Sequence, residues 1–282
     1  MRIRATVAAV TGALALAAFA APAAQATGTD GTPYDLNVSF SDVKIASSTK
    51  IGAPTGALRI AYSYTLKYGS EVDIEQPDFW SQAYLYRGTF GSDTATELGY
   101  DKSDSATCTA STTSDGTATC KGTIDLYPSE GDLLNTDVGT WTVAVEAGAL
   151  NGQDPENPDY SKVGFKEQGG MATTKLLRNV IVTADAGPEP VTKGATLTTT
   201  GKLTRVSWED NKYHAFTNQT VTLQFKKAGT STYTNVKTIK SDTSGNLKGT
   251  ATAAYDGYWR LTYAGSAYAS YASAAGDYVD VR

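Results

Sequence analysis

The stretch Leu58-Arg59-Ile60-Ala61-Tyr62-Ser63-Tyr64-Thr65-Leu66-Lys67-Tyr68 alternates without a break. Leu58, Ile60, Tyr62, Tyr64, Leu66 and Tyr68 fall on one side of an extended chain. Arg59, Ala61, Ser63, Thr65 and Lys67 fall on the other. A sustained period of two marks a strand with one buried face, because successive side chains of extended backbone point to opposite sides. Such a strand needs a second apolar surface over it, and a sheet packed on another sheet supplies one.

The same pattern continues outward in both directions. Upstream, Leu36, Val38 and Phe40 alternate, and the apolar parity then switches to Val43 and Ile45, which predicts a bulge near Ser41-Asp42. Downstream, Phe79 to Arg87 reads as a strand with Trp80, Gln82, Tyr84 and Tyr86 on one face. Phe79, Ser81, Ala83 and Leu85 lie on its other face, so the pattern does not choose which one is buried. Trp141, Val143 and Val145 alternate with Thr142, Ala144 and Glu146 in a further strand. Cys108 and Cys120 flank small β-formers around Ser114-Asp115-Gly116, which places them opposite each other across a hairpin as a disulfide. The segment Ser129 to Asn135 offers one helical turn, and nothing after residue 26 sustains a helical period.

Lys166-Glu167-Gln168-Gly169-Gly170 is polar and carries paired glycines. It predicts a linker over 166–175 between an N-terminal domain at 34–165 and a C-terminal domain at 176–282, with a flexible stretch at 27–33. Beyond the linker, about seven strands in roughly 105 residues match the size and count of an immunoglobulin-like sandwich. A faint repeat joins the halves. Ser114-Asp115-Gly116, Lys121-Gly122-Thr123 and Gly139-Thr140-Trp141 are echoed by Ser244-Gly245, Lys248-Gly249-Thr250 and Gly257-Tyr258-Trp259. The spacing differs, seventeen residues from Gly122 to Gly139 against eight from Gly249 to Gly257. The fold class is therefore all-β, with two antiparallel Ig-like sandwiches in tandem after a cleaved signal peptide.

That leader is expected over residues 1–26. Arg2 and Arg4 form a basic start, Ala5 to Ala21 an apolar run, and Ala24-Gln25-Ala26 a small-x-small cleavage site. A secreted, extracellular protein follows, in a compartment where two cysteines oxidise. The chain of 282 residues carries 24 basic and 29 acidic side chains, a net charge of -5. Removing the leader takes away two arginines and no acid. This balance argues against nucleic acid as a partner, which requires a basic face. No second long apolar run provides for membrane insertion.

Candidate chemistry is sparse. Ser207, Asp210 and His214 are close in sequence, but their order and spacing match no hydrolase signature, and His214 is the only histidine. One histidine and two oxidised cysteines cannot build a tetrahedral zinc site. Asp101, Ser103, Asp104 and Ser105, and again Asp154, Glu156, Asn157 and Asp159, are oxygen-rich loops without the calcium-loop pattern. They read as solvated turns, so no metal and no cofactor is expected. No carboxylate is marked by apolar surroundings as the acid of a glycosidase pair. Trp80, Tyr84 and Tyr86 share a strand face and are the candidate binding residues, since flat rings can form a sugar platform. Core packing competes with that reading. Trp259, Leu261 and Tyr263 read as core.

Gly201-Lys202-Leu203-Thr204, Gln219-Thr220-Val221-Thr222-Leu223-Gln224-Phe225, Asp256-Gly257-Tyr258-Trp259-Arg260 and Gly276-Asp277-Tyr278-Val279-Asp280-Val281 carry a resemblance. This half resembles the C-terminal Ig-like domain of secreted actinomycete (Streptomyces-like) proteins, most without assigned activity and some with a loose calcium-binding label. The resemblance implies fold and export and transfers no catalytic residue. The expected function is a secreted, non-enzymatic structural or interaction protein of the cell envelope or extracellular matrix, meeting cell-wall polysaccharide or an envelope protein. The alternative is a carbohydrate-binding protein using the Trp80 face, and a secreted hydrolase has the least support.

Overall fold

The computed structural model describes residues 31–100, 104–114 and 116–282. The leader, and residues 27–30 of the expected flexible stretch, lie outside them. The described chain is all-β, with three short 3-10 turns at Pro128–Glu130, Asn135–Asp137 and Tyr160–Lys162. The first strands are β1 (Tyr34–Asp35), β2 (Val38–Ile45), β3 (Thr49–Ile51), β4 (Leu58–Tyr68), β5 (Phe79–Arg87), β6 (Thr96–Leu98), β7 (Thr107–Ala110), β8 (Thr117–Leu126), β9 (Gly139–Ala149) and β10 (Gly164–Arg178). They continue with β11 (Val180–Val182), β12 (Asp185–Gly187), β13 (Thr196–Ser207), β14 (Lys212–Ala215) and β15 (Thr220–Lys227). The last are β16 (Thr234–Lys240), β17 (Asn246–Thr252), β18 (Gly257–Tyr263), β19 (Ala272–Ser273) and β20 (Asp277–Val279).

The first compact unit holds the described residues up to Ser47, Ala57–Leu126 and Thr140–Lys175. Its sheets are β2-β4-β8-β7 and β1-β10-β9-β5-β6. The quoted stretch is β4, and Ile60, Tyr62, Tyr64 and Leu66 are buried as its alternation requires. Two of its tyrosines also bond across the core. Tyr62 Oη accepts the Ala83 N–H at 3.1 Å, and Tyr64 Oη lies 2.5 Å from Ser81 Oγ. Ring burial and paired hydroxyls together fix one sheet on the other. The β2–β4 register shifts between Ser41 and Lys44, where Asp42 has a φ of 53°, at the expected bulge. Cys108 and Cys120 are opposed in the β7–β8 ladder and bonded.

The second unit comprises Ser48–Gly56, Tyr127–Gly139 and Leu176–Arg282. Its sheets join β11, β12, β14 and β17 to β13, and β16-β15-β18 to β19 and β20. Val221, Leu223, Leu247, Trp259, Leu261 and Val279 form the middle of its core. Besides the seven strands expected, short strands β12, β14 and β19 fill the connections. Most pairings are antiparallel, but β1 and β3 run parallel to β10.

Residues 166–175, expected as a linker, are the middle of β10, a strand of 15 residues. The glycine pair does not end it, for two physical reasons. Gly169 has the Phe90 ring against its Cα, where a Cβ would clash. Gly170 takes a φ of 72°, open to glycine at no cost, and donates its N–H to Tyr86 Oη at 3.0 Å.

The second unit is discontinuous in sequence. The segment 48–56 reaches it through the β3–β10 pairing, the Asn179 N–H donated to Ile51 O at 2.9 Å, and Trp208 Nε1–H donated to Ile51 O at 3.3 Å. The segment 127–139 reaches it through Asn135, whose Oδ1 accepts the Trp208 N–H at 3.1 Å and whose N–H donates to Glu209 Oε1 at 2.9 Å. Trp208 itself is buried, at 1% exposure.

The faint repeat has a structural counterpart in each unit. Gly116 and Gly245 both have positive φ, and their carbonyls accept the N–H of Tyr68 and Leu203, each at 2.8 Å. Lys121-Gly122-Thr123 then runs in β8 beside β4, and Lys248-Gly249-Thr250 in β17 beside β13. The next strand lies in the opposite sheet and buries Trp141 or Trp259. The longer spacing in the first copy spans residues 127–139, the segment that belongs to the second unit.

Two outcomes follow. Replacing both cysteines by serine lowers unfolding free energy by about 2–3 kcal/mol, read by denaturant titration, because the bridge closes only a short loop. A fragment of residues 176–282 unfolds at lower denaturant than the full chain and shows red-shifted Trp208 emission, because it lacks both supporting segments.

Candidate functional site

The outer face of β5 and β9 carries the most unusual chemistry in the described chain. Trp80, Gln82, Tyr84 and Tyr86 of β5 stand opposite Gly148, Glu146, Ala144 and Thr142 of β9. Such a face normally meets water, yet Tyr84, Tyr86, Gln82 and Glu146 are all buried. The cover comes from the same unit. Phe165 sits 5.9 Å from the Trp80 ring, Tyr100 meets Tyr84 edge-on at 5.1 Å, and Phe90 meets Tyr86 at 5.2 Å. Tyr84 Oη donates to Glu167 Oε1. Both faces of β5 are therefore buried, which is why alternation could not choose between them.

The three candidate rings share the face as expected, but they do not form an open platform. Tyr84 is 1% exposed and Tyr86 7%, and only Trp80 keeps partial access, lying flat over Gly148. A sugar ring cannot stack on a tyrosine whose faces and hydroxyl are already engaged.

Glu146 is the residue that sequence reasoning missed. It is fully buried, and Gln82 Nε2 donates to its Oε1 at 2.8 Å. Gln82 Nε2 is also 3.2 Å from Tyr100 O, which ties Tyr100 to the cluster. Burial pushes the Glu146 carboxyl up to about 8, with the Gln82 hydrogen bond opposing and the Glu167 charge adding. The sequence did hold a signal. Gly148, Ala144 and Thr142 beside Glu146 are small, and a face of small residues next to four large ones suits burial under a cover. A protonated carboxyl near a carboxylate is the pairing used in glycoside hydrolysis. Here the acid is sealed, and no substrate atom reaches it in this conformation.

The Ser207, Asp210 and His214 group lies on the β13–β14 hairpin. His214 Nε2 is 2.7 Å from Asp210 Oδ2, while Ser207 Oγ donates to Glu209 Oε2 at 3.0 Å. A nucleophile needs the base on its own hydroxyl. The serine here bonds to a carboxylate, and the imidazole is exposed. Asp101 and Ser103 lie outside the described residues. Asp154 and Asp159 close turns, accepting the N–H of Glu156 at 3.0 Å and of Ser161 at 3.2 Å. Among the described residues no group of three or more His, Cys, Asp or Glu gathers as a metal site, and no helix is long and apolar enough to cross a membrane.

The buried acid makes stability depend on pH. Glu146 holds its proton in the folded state up to about 8 but loses it near 4.5 when unfolded. Between these values the folded chain binds more protons, so stability falls as pH rises across that window and then levels off. Glu146→Gln removes the ionisation. Its melting temperature exceeds that of the parent at pH 8, and the gap closes toward pH 4.5, as differential scanning calorimetry across the window would show.

No protein-family model matches the chain, and no curated protein matches it. Among solved structures it is similar to the ectodomain of mouse nectin-like molecule 4, with 14% identity over 85% of this chain and 64% of that one, at a TM-score of 0.23. It is similar to the Yersinia pseudotuberculosis adhesin InvE at 13% identity, covering 88% of this chain and 60% of that one, with a TM-score of 0.25. The Escherichia coli adhesin FdeC matches at 11% identity, over 87% of this chain and 65% of that one, with a TM-score of 0.29. The chain spans less than two thirds of the length of each.

Proposed function

We propose that the protein is a secreted, non-enzymatic interaction protein of the cell envelope or extracellular matrix. The observation that carries this reading is the set of exposed tyrosines in the second unit. Tyr255, Tyr268, Tyr271 and Tyr278 are 53%, 57%, 58% and 42% exposed. Tyrosine is enriched at recognition surfaces because it brings large area and a polar tip at small entropy cost. The reactive groups support the same reading from the other side, since Glu146 is sealed and the Ser207 hydroxyl is turned to acids. The disulfide supports export, where such bonds persist.

Envelope preparations from the source cells test this directly. The exported protein co-sediments with them, and a combined change of Tyr255, Tyr268, Tyr271 and Tyr278 to serine abolishes co-sedimentation while the melting temperature stays within a few degrees. A hydrolytic turnover that survives repurification and is lost in Glu146→Gln would overturn the proposal.

A further inference from the structure

The outer face of the β16-β15-β18-β20 sheet carries two rows of side chains fixed by strand register. Asn235, Gln224 and Arg260 are cross-strand partners, and so are Lys226, Tyr258 and Tyr278. With strands about 4.8 Å apart, each row of three side chains is about 10 Å long. The first row is a hydrogen-bonded chain. Gln224 Nε2 donates to Asn235 Oδ1 at 2.8 Å, and Arg260 Nε donates to Gln224 Oε1 at 2.8 Å. The second row is a stack. Lys226 Nζ lies 4.4 Å from the Tyr258 ring centre, and Tyr258 meets Tyr278 at 5.2 Å. Tyr233 joins the rows, with the Arg260 guanidinium 3.6 Å and Lys226 Nζ 5.1 Å from its ring centre. Its hydroxyl rests over Gly276, where a Cβ would clash.

This face holds two cations that no carboxylate neutralises among the described residues, in a chain of net charge -5. Arg260 spends only Nε on Gln224, which leaves its two Nη groups as a planar fork. The nearby acids are engaged elsewhere. Asp280 pairs with Arg282 at 2.7 Å, and Asp256 Oδ1 accepts the Val281 N–H at 2.8 Å. A planar fork matches the two oxygens of a carboxylate, and stacked tyrosines beside it offer ring faces and edges to a flat, partly apolar body. Because the rings and cations already hold one another, little side-chain freedom remains to be lost on binding.

We infer that this face binds a carboxylated polysaccharide, with Arg260 and Lys226 on the carboxylates and Tyr258 and Tyr278 against the sugar rings. The inference rests on the interaction reading above and names its ligand class. Affinity electrophoresis of the full protein in gels containing polygalacturonate, with uncharged dextran as control, tests it. Polygalacturonate retards the protein and dextran does not, and added salt weakens the effect. Arg260→Gln reduces affinity about tenfold, as expected for loss of a charged hydrogen-bonding anchor. Arg260→Lys, which keeps the charge and loses the fork, falls between. Lys44→Gln, which removes one exposed charge on β2 of the first unit, matches the parent. Circular dichroism on each variant excludes misfolding as the cause of a loss. Absence of retardation by polygalacturonate, equal retardation in dextran, or an unchanged Arg260→Gln variant would overturn the inference. If the protein still co-sediments with envelopes while polygalacturonate leaves it unretarded, this inference falls and the interaction reading stands.

Discussion

Strand β5 has two apolar faces, and an antiparallel strand at the middle of a sheet must find a cover for each. One cover is the opposite sheet, whose Tyr62 and Tyr64 reach across to Ala83 and Ser81. The other has to be made from chain that a simple sandwich would leave as loop. Hence the start of β10 lays Phe165 and Glu167 over the face, its glycine pair admits Phe90 and bonds Tyr86, and Phe90 and Tyr100 close it from the connections around β6. The burial of Glu146 is a consequence of that closure. A carboxyl placed under rings keeps its proton because solvation of the charge is lost, and the Gln82 amide recovers only part of it. The cluster is thus a structural element with a titratable centre.

The second unit solves a different shortage. Its C-terminal strands make two sheets, but the region around Trp208 lacks a cover of its own. The chain supplies one from the segments 48–56 and 127–139, each held through hydrogen bonds to Trp208 or beside it. Interleaving of this kind raises the sequence separation of native contacts, which slows folding. It also explains the uneven repeat. The two copies keep the left-handed glycine, the Lys-Gly-Thr strand and the buried tryptophan, and differ by the segment that the first copy gives up.

The legible parts of the fold are those that a period of two specifies. Strand β4, its buried face, the bulge at Asp42, the Cys108–Cys120 bond and the Trp259 core could all be read from local pattern. Pattern fails where a residue's surroundings come from distant chain. The glycines of β10 look like a break because turn propensity is local, while their use is to admit Phe90 and to bond Tyr86. Glu146 looks like a solvated strand residue for the same reason. Trp80, Tyr84 and Tyr86 share one face, but exposure depends on the cover, and β5 alone carries no information about it.

The contrast between the two outer faces bears on function. On β5 the aromatic side chains are gathered around acids, and ionised acids under rings are costly, so the arrangement is closed and its acid is held neutral. On β15 and β18 the aromatic side chains are gathered around cations. An ammonium or guanidinium keeps its charge while resting on a tyrosine ring, because the ring's quadrupole offsets part of the lost hydration. Such a face does not need a cover to be stable, and so it stays open. The same residue type, tyrosine, therefore seals one sheet and presents the other. The cations on that surface are held in place by rings and amides, and among the described residues no carboxylate pairs with them.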